Sequence, residues 1–139
     1  MKRVLLSVTA GLIGLWANAQ TFGNEWIQYD RQYWSFPITH EGIYRIDSTT
    51  LANAGFPIGT VDARTIEIYG RQQQVPLYVE GEGDGVLNGA DFIEFYSKGN
   101  DAWLDSTLWD TPAHMSNPYY SFYCDTIQYF ISWGPMGEA

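Results

Sequence analysis

Basic residues and cysteine are what this sequence has least of, and both scarcities narrow its chemistry. Seven lysines and arginines face sixteen aspartates and glutamates, a formal net charge of −9. A surface of that sign repels nucleic acid and anionic lipid, which argues against both as partners and leaves cations and basic protein surfaces. The single cysteine, Cys124, rules out an internal disulfide. Its place between Tyr123 and Asp125 in an aromatic run suits a small core or edge residue better than a nucleophile. The two histidines, His40 and His114, fall in no recognisable catalytic context, and His40 is expected at a solvated turn. The chain also lacks a Ser/His/Asp grouping, a phosphate-binding loop, zinc-ligand spacing, internal repeats and low-complexity tracts.

What is present points to one exported, folded domain. The hydrophobic fraction of 45% and aromatic fraction of 17% suffice for a real core, and 139 residues suit a single domain rather than two. Residues 1–19 read as a signal peptide. Lys2 and Arg3 precede an apolar run from Val4 to Trp16, and Ala17-Asn18-Ala19 matches a small-residue cleavage site that would leave Gln20 as the new N-terminus. The run is too short to span a bilayer comfortably, and Ser7, Thr9 and two glycines dilute it, so no membrane insertion is expected after cleavage. Losing Lys2 and Arg3 from the seven bases leaves five against sixteen acids, a net −11.

The remaining chain is a series of short strand-like runs between turn signals. WIQYDRQYWSFPI, from Trp26 to Ile38, alternates in part, with Pro37 favouring an edge strand or a strand end. After Thr39-His40-Glu41-Gly42, the run Ile43-Tyr44-Arg45-Ile46 predicts the second arm of a β-hairpin. Ser48 to Ala54 is the one helix candidate, with Ser48 as cap, Leu51 and Ala54 on one face, and Gly55 and Pro57 ending it. DARTIEIYG alternates from Asp62 to Gly70, a polar turn covers residues 71–74, and Val75 to Val79 forms a further strand containing Pro76. Phe92 to Tyr96 follows the acidic loop, and YYSFYCDTIQYFISW, from Tyr119 to Trp133, has the strongest β-propensity of all. The fold class that follows is all-β: an antiparallel β-sandwich or jelly-roll-like domain over residues 20–133, with one short helix. Residues 134–139, GPMGEA, read as the start of a linker.

The main candidate for chemistry is the glycine-dense loop between Val79 and Phe92. Glu80, Glu82, Asp84, Asn88 and Asp91 stand two to four residues apart, a spacing able to wrap oxygens around one hard cation such as calcium. On a twelve-position calcium loop they take positions one, three, five, nine and twelve, with Gly85 at six, an order similar to dockerin-type modules. Glutamate in the first place and strand-like flanks depart from that pattern, and a long solvated hairpin turn accounts for the same residues. Eight of the sixteen acids fall within residues 80–110, where Lys98 is the only base, so a docking patch for a basic partner competes with a plain solvated face. Trp26, Trp34, Trp103 and Trp109 have two readings as well, a carbohydrate-stacking platform or ordinary core aromatics.

An ordered set of phrases carries a family resemblance. These are Gly42-Ile43-Tyr44-Arg45-Ile46, Leu51 with Ala54-Gly55, Ile68-Tyr69-Gly70, Gly89-Ala90-Asp91-Phe92-Ile93-Glu94-Phe95-Tyr96, Asn117-Pro118-Tyr119-Tyr120-Ser121, and Asp125-Thr126 with Tyr129-Phe130. Together they resemble the N-terminal region of gingipain-like cysteine peptidases of the type IX secretion system, with the closest likeness to its sortase component and paralogues. The resemblance covers nearly the whole mature chain. It implies a non-catalytic leading domain whose partners are a downstream peptidase domain and secretion-system or cargo proteins. It also implies residence in the periplasm, outer membrane or cell surface of a Gram-negative bacterium. The catalytic histidine and cysteine of such proteins lie in a downstream caspase-like domain, so His40, His114 and Cys124 inherit no role. A similar acidic, glycine-rich turn precedes the GADFIEFY phrase in the family, which favours the hairpin over a dedicated calcium site. The rival reading is a stand-alone secreted β-sandwich binding module for calcium or glycan.

Overall fold

Strict alternation is what commits the central runs to strands. In the computed structural model, which describes residues 23–135, β1 (Trp34–Ile38) turns Trp34, Phe36 and Ile38 inward and leaves Ser35 and Pro37 exposed. β2 (Gly42–Asp47) turns Tyr44 and Ile46 inward and exposes Ile43, Arg45 and Asp47. One short helix, α1 (Ser48–Asn53), follows, and then β3 (Ile66–Gly70), β4 (Gln73–Val75), β5 (Leu77–Val79), β6 (Phe92–Ser97) and β7 (Ile127–Trp133). The expected signal peptide and residues 136–139 of the expected linker lie outside the described residues.

The strands form a four-stranded sheet in the order β1-β7-β3-β4 and a three-stranded sheet in the order β2-β6-β5. Every neighbouring pair is antiparallel. Ile38, Ile68 and Ile131 of the larger sheet share one core with Val79, Ile93 and Phe95 of the smaller, joined by Leu51, Phe56 and Leu87. Phe95 bridges the layers, its ring 5.7 Å from Phe36 and 6.2 Å from Tyr129. This is an antiparallel β-sandwich with one short helix, the all-β class that the strand spacing indicates.

Pairing partners depart from the expected hairpin. β1 pairs with β7 and β2 with β6, so residues 39–41 carry the chain from one layer to the other. Each run has one apolar face, and crossing between layers aims both faces into the same core, where a hairpin would have kept them in one sheet. Pro37 fits its strand all the same, because β1 is an edge of its sheet. The expected strand from Val75 to Val79 divides at Pro76: β4 pairs with β3, and β5 pairs with β6. A residue without an N–H interrupts the ladder at the point where the chain changes sheets.

Three further boundaries moved. Only Trp34–Ile38 of the first aromatic run is a strand. Residues 24–31 turn instead, with Ile27 N donating to Asn24 O at 3.0 Å and Arg31 N to Gln28 O at 3.1 Å. That segment covers the outer face of the larger sheet, where Trp26 stacks on Tyr69 at 5.1 Å and meets Phe130 at 5.2 Å. Arg31 pairs with Glu67 beneath it, and Ser132 Oγ donates to Gln32 O at 2.8 Å. Only Ile127–Trp133 of the last run is a strand. Ahead of it, Asn117 Oδ1 accepts from Tyr119 N at 2.9 Å, and Ser121 Oγ accepts from Tyr123 N at 3.1 Å. Such side-chain bonds to backbone compete with a ladder. The helix cap is Asp47 rather than Ser48: Asp47 Oδ1 accepts from Thr50 N at 2.6 Å. Ser48 is buried and donates from Oγ to Gly89 O at 3.0 Å. Gly55, with φ of +77°, follows the last turn as expected.

Gly70 is glycine for a packing reason. A Cβ there would stand 2.3 Å from Cε2 of Tyr129, whose ring lies flat against the bare backbone. Gly70→Ala is therefore expected to destabilise the chain by about 1–3 kcal/mol through overpacking. Gly59→Ala, which meets nothing within 4 Å, is expected to stay within about 0.5 kcal/mol of wild type. The midpoints of urea unfolding of the two variants check both values; equal midpoints would contradict the packing argument.

Candidate functional site

The acidic loop, residues 80–91, closes the antiparallel β5–β6 pair, with Val79 opposite Ile93. Left-handed glycines shape it: Gly81 at φ +87° and Gly85 at φ +78° bracket a 3-10 turn over Glu82–Asp84. Leu87 anchors it, 1% exposed and part of the main core. The loop thus has an apolar anchor that its run of acids and glycines hides, and Leu87 is the residue that sequence reasoning missed. Against it lies the 3-10 turn Ala63–Thr65, where Ala63 N donates to Gly85 O at 3.0 Å. Arg64 grips Asp62 with two bonds, Nε to Oδ1 at 2.8 Å and Nη2 to Oδ2 at 2.5 Å. Those side-chain bonds first, and the Arg64 backbone N–H second, hold the Asp62 carboxyl down at about 2.

The five proposed calcium ligands are engaged separately. Glu80 accepts from the Tyr78 hydroxyl, which raises the Tyr78 pKa. Asp84 Oδ1 accepts from Val86 N at 2.9 Å, and Asp91 Oδ2 accepts from Asn88 N at 2.9 Å. Asp91 lies over Gly81, where a Cβ would come within 2.2 Å of its carboxyl carbon. Asn88 turns its amide Nδ2 towards Val86 O at 3.5 Å, and Glu82 adds a weak attraction for Arg64. Among the described residues, no group of three or more His, Cys, Asp or Glu side chains is placed to hold a metal ion.

Other sequence candidates are dispersed. Trp34 packs in the core between Phe56 and Trp133, at 5.1 and 5.6 Å. Trp26 lies on the opposite face of that sheet, and Trp103 sits under Arg71, whose guanidinium carbon is 5.0 Å from the ring. With these three in separate neighbourhoods, the four tryptophans form no shared stacking platform. Cys124 is exposed in a loop rather than a core or edge position in a strand, and its thiol donates to Thr126 O at 3.3 Å. His40 Nδ1 is 2.7 Å from Thr39 Oγ1, at the exposed layer crossing. Within the acidic stretch, Glu94 pairs with Arg45 and Asp101 with Arg71, so its charge is partly answered.

Two features stand out that the sequence did not single out. One is an open cleft of about 210 Å³ between the β3–β4 hairpin and the end of β6, lined by Arg71, Gln73, Gln74, Tyr96, Lys98 and Tyr129. Its lining has no carboxylate, histidine or thiol, and its polar side chains are those six. The other is the run Tyr119, Tyr120, Phe122 and Tyr123, all exposed, with Tyr119 at 81%. This aromatic loop is fastened by Asn100, whose Nδ2 donates to Cys124 O at 2.7 Å. No helix among the described residues is long and apolar enough to cross a membrane. No family model matches the chain, and neither a curated protein nor a solved structure matches it.

The Asp62–Arg64 grip sets a pH dependence. A carboxyl held below its usual 3.8 contributes stability that is complete above that value and lost as pH falls towards 2. The difference in melting temperature between wild type and Asp62→Asn is expected to shrink as pH falls through that window; a constant difference would remove the grip from the account. Asp84 and Asp91 already close local turns without an ion, and millimolar calcium is expected to leave the melting temperature unchanged. A rise with calcium would show that the loop re-forms around the ion.

Proposed function

We propose that this chain is the non-catalytic, all-β N-terminal domain of an exported gingipain-like cysteine peptidase or sortase that acts in type IX protein secretion. Its work in that reading is to hold and present the downstream peptidase domain at the periplasm, outer membrane or cell surface. The observation that carries the reading is the exposed aromatic loop, residues 119–123, which begins in the family-like NPYYS phrase. The loop holds four exposed rings within five residues, those of Tyr120 and Phe122 in contact at 5.8 Å, and clustered exposed apolar surface marks a contact with another protein surface.

The other resembling phrases support the reading through the positions they hold. GIYRI makes up all of β2 but its last residue, and GADFIEFY covers all of its sheet partner β6 but the last residue. IYG ends in Gly70, and the closing phrase contains Tyr129, the ring that lies against it. The likeness therefore falls on residues that pack against one another, as residues under one structural constraint do.

The test is the reading frame that follows the codon for Ala139. A continuation into a caspase-like domain with paired histidine and cysteine is expected, and a stop codon would overturn the proposal. Tyr119→Ser combined with Phe122→Ser is expected to change the stability of this chain by no more than about 0.5 kcal/mol per site, because both rings are exposed. In the longer protein the same pair is expected to increase protease sensitivity at the junction of the two domains. Unchanged sensitivity would show that the loop contacts something else.

A further inference from the structure

We propose that the cleft between the β3–β4 hairpin and the end of β6 is a binding site for a carboxylate group, presented by an extended peptide. The inference stands apart from the family reading and rests on two unspent donors. Among the described residues all four arginines are in ion pairs, Arg31 with Glu67, Arg45 with Glu94, Arg64 with Asp62 and Arg71 with Asp101. Lys98 has no such partner, and it stands at the cleft. Among the described residues of a protein with this excess of acids, the lysine left without an acidic partner borders a recess with no carboxylate in its lining.

The second donor is Tyr129. The residue is 2% exposed, clamped between Gly70 and Phe95, and lines the cleft, and its hydroxyl has no hydrogen-bond partner among the described residues. The neighbouring Tyr96 hydroxyl is already spent on Glu41, so Tyr129 is the ring free to donate to a ligand. An ammonium and a phenol on residues lining one recess complement a carboxylate, an acceptor for both, and a bond to the ammonium is charge-assisted. The amides of Gln73 and Gln74 add neutral donors at the rim. β4, which carries them, is an edge strand of the larger sheet, with one side free to pair with an incoming extended chain. The volume of about 210 Å³ suits one side chain together with a terminal carboxylate rather than a large cofactor.

The test is an NMR titration of the full ¹⁵N-labelled chain at constant ionic strength with three probes: acetate, N-acetyl-glycyl-phenylalanine, and the C-terminal amide of that peptide. Saturable shifts at the backbone amides of Gln73, Gln74 and Lys98 are expected with the peptide acid, about tenfold weaker with the amide. Acetate matching the peptide acid would assign the site to small free carboxylates and overturn the peptide part of the proposal. Lys98→Gln, at an exposed position, and Tyr129→Phe, which keeps the ring, are each expected to weaken the acid about tenfold while leaving the amide unchanged. Equal binding of acid and amide, absence of shifts at these residues, or full affinity in Lys98→Gln would overturn the site altogether.

Discussion

The ring of Tyr129 lying on the bare backbone of Gly70 is the contact on which the rest of this fold depends. β7, which carries Tyr129, is an interior strand of its sheet, paired on one side with β1 and on the other with β3. From there the ring stacks on Phe95 of β6 and meets Phe36 of β1, so one side chain touches three strands and both layers. Its depth is set by Gly70, because any Cβ at that place would push the ring outward and away from Phe95. The same ring forms a wall of the cleft. Packing of the core and the shape of this cleft are therefore a single constraint.

That arrangement makes the fold non-local. β1 finds β7 across nearly the whole described chain, and β2 finds β6 across the helix and the β3–β4–β5 excursion. Sheets assembled from distant pairings close large loops before contacts reward them, which slows folding. Local devices offset part of this cost. The β3–β4 turn is the clearest: Arg71 and Gln72 both have positive φ, at 54° and 66°, where glycine or asparagine is usual. The strain is held by Arg71, which pairs with Asp101 at 2.7 Å and lies over Trp103. Ala102, between those two partners, also has a positive φ of 61° and is fully buried. Strained backbone on both sides of one ion pair persists only when surroundings over-determine it. Here it fixes Arg71 and the adjoining glutamines beside the cleft.

How much of this was legible in the sequence depends on what kind of information each element needs. Strands such as β2, β3 and β6 announce themselves by alternation, since Tyr44 and Ile46 or Ile66 and Ile68 define an inward face without reference to any partner. Alternation does not say which strand lies alongside, so the layer crossing at residues 39–41 reads as a hairpin turn. It also misleads where aromatics cover a sheet from outside. Trp26 belongs to an apparently alternating run, yet its place is set by Tyr69 and Phe130 beneath it. Pro76 was visible as a breaker, but its role as the hinge between sheets depends on β3 and β6 already being in different layers. The cleft was the least legible feature, because Arg71, Lys98 and Tyr129 come from three distant segments and none has a motif around it.

The acidic loop shows why a pattern of ligand types is weaker than a pattern of constraints. Its carboxylates stand at spacings that suit a cation, but each spacing is also what the local backbone requires. Asp84 and Asp91 cap turns two and three residues away, and the glycines supply the left-handed corners those turns need. With Leu87 in the core and the Asp62–Arg64 grip against Gly85, the loop is held from inside and from its flank. A segment tied at both places is ordered by its own packing and hydrogen bonds. The uneven distribution of charge then matters more than its total. Among the described residues every arginine is bound to an acid, while Lys98 has no acidic partner and shares the cleft lining with the buried Tyr129. In a chain so short of cations, that placement puts an attraction for an anion at one point on the surface.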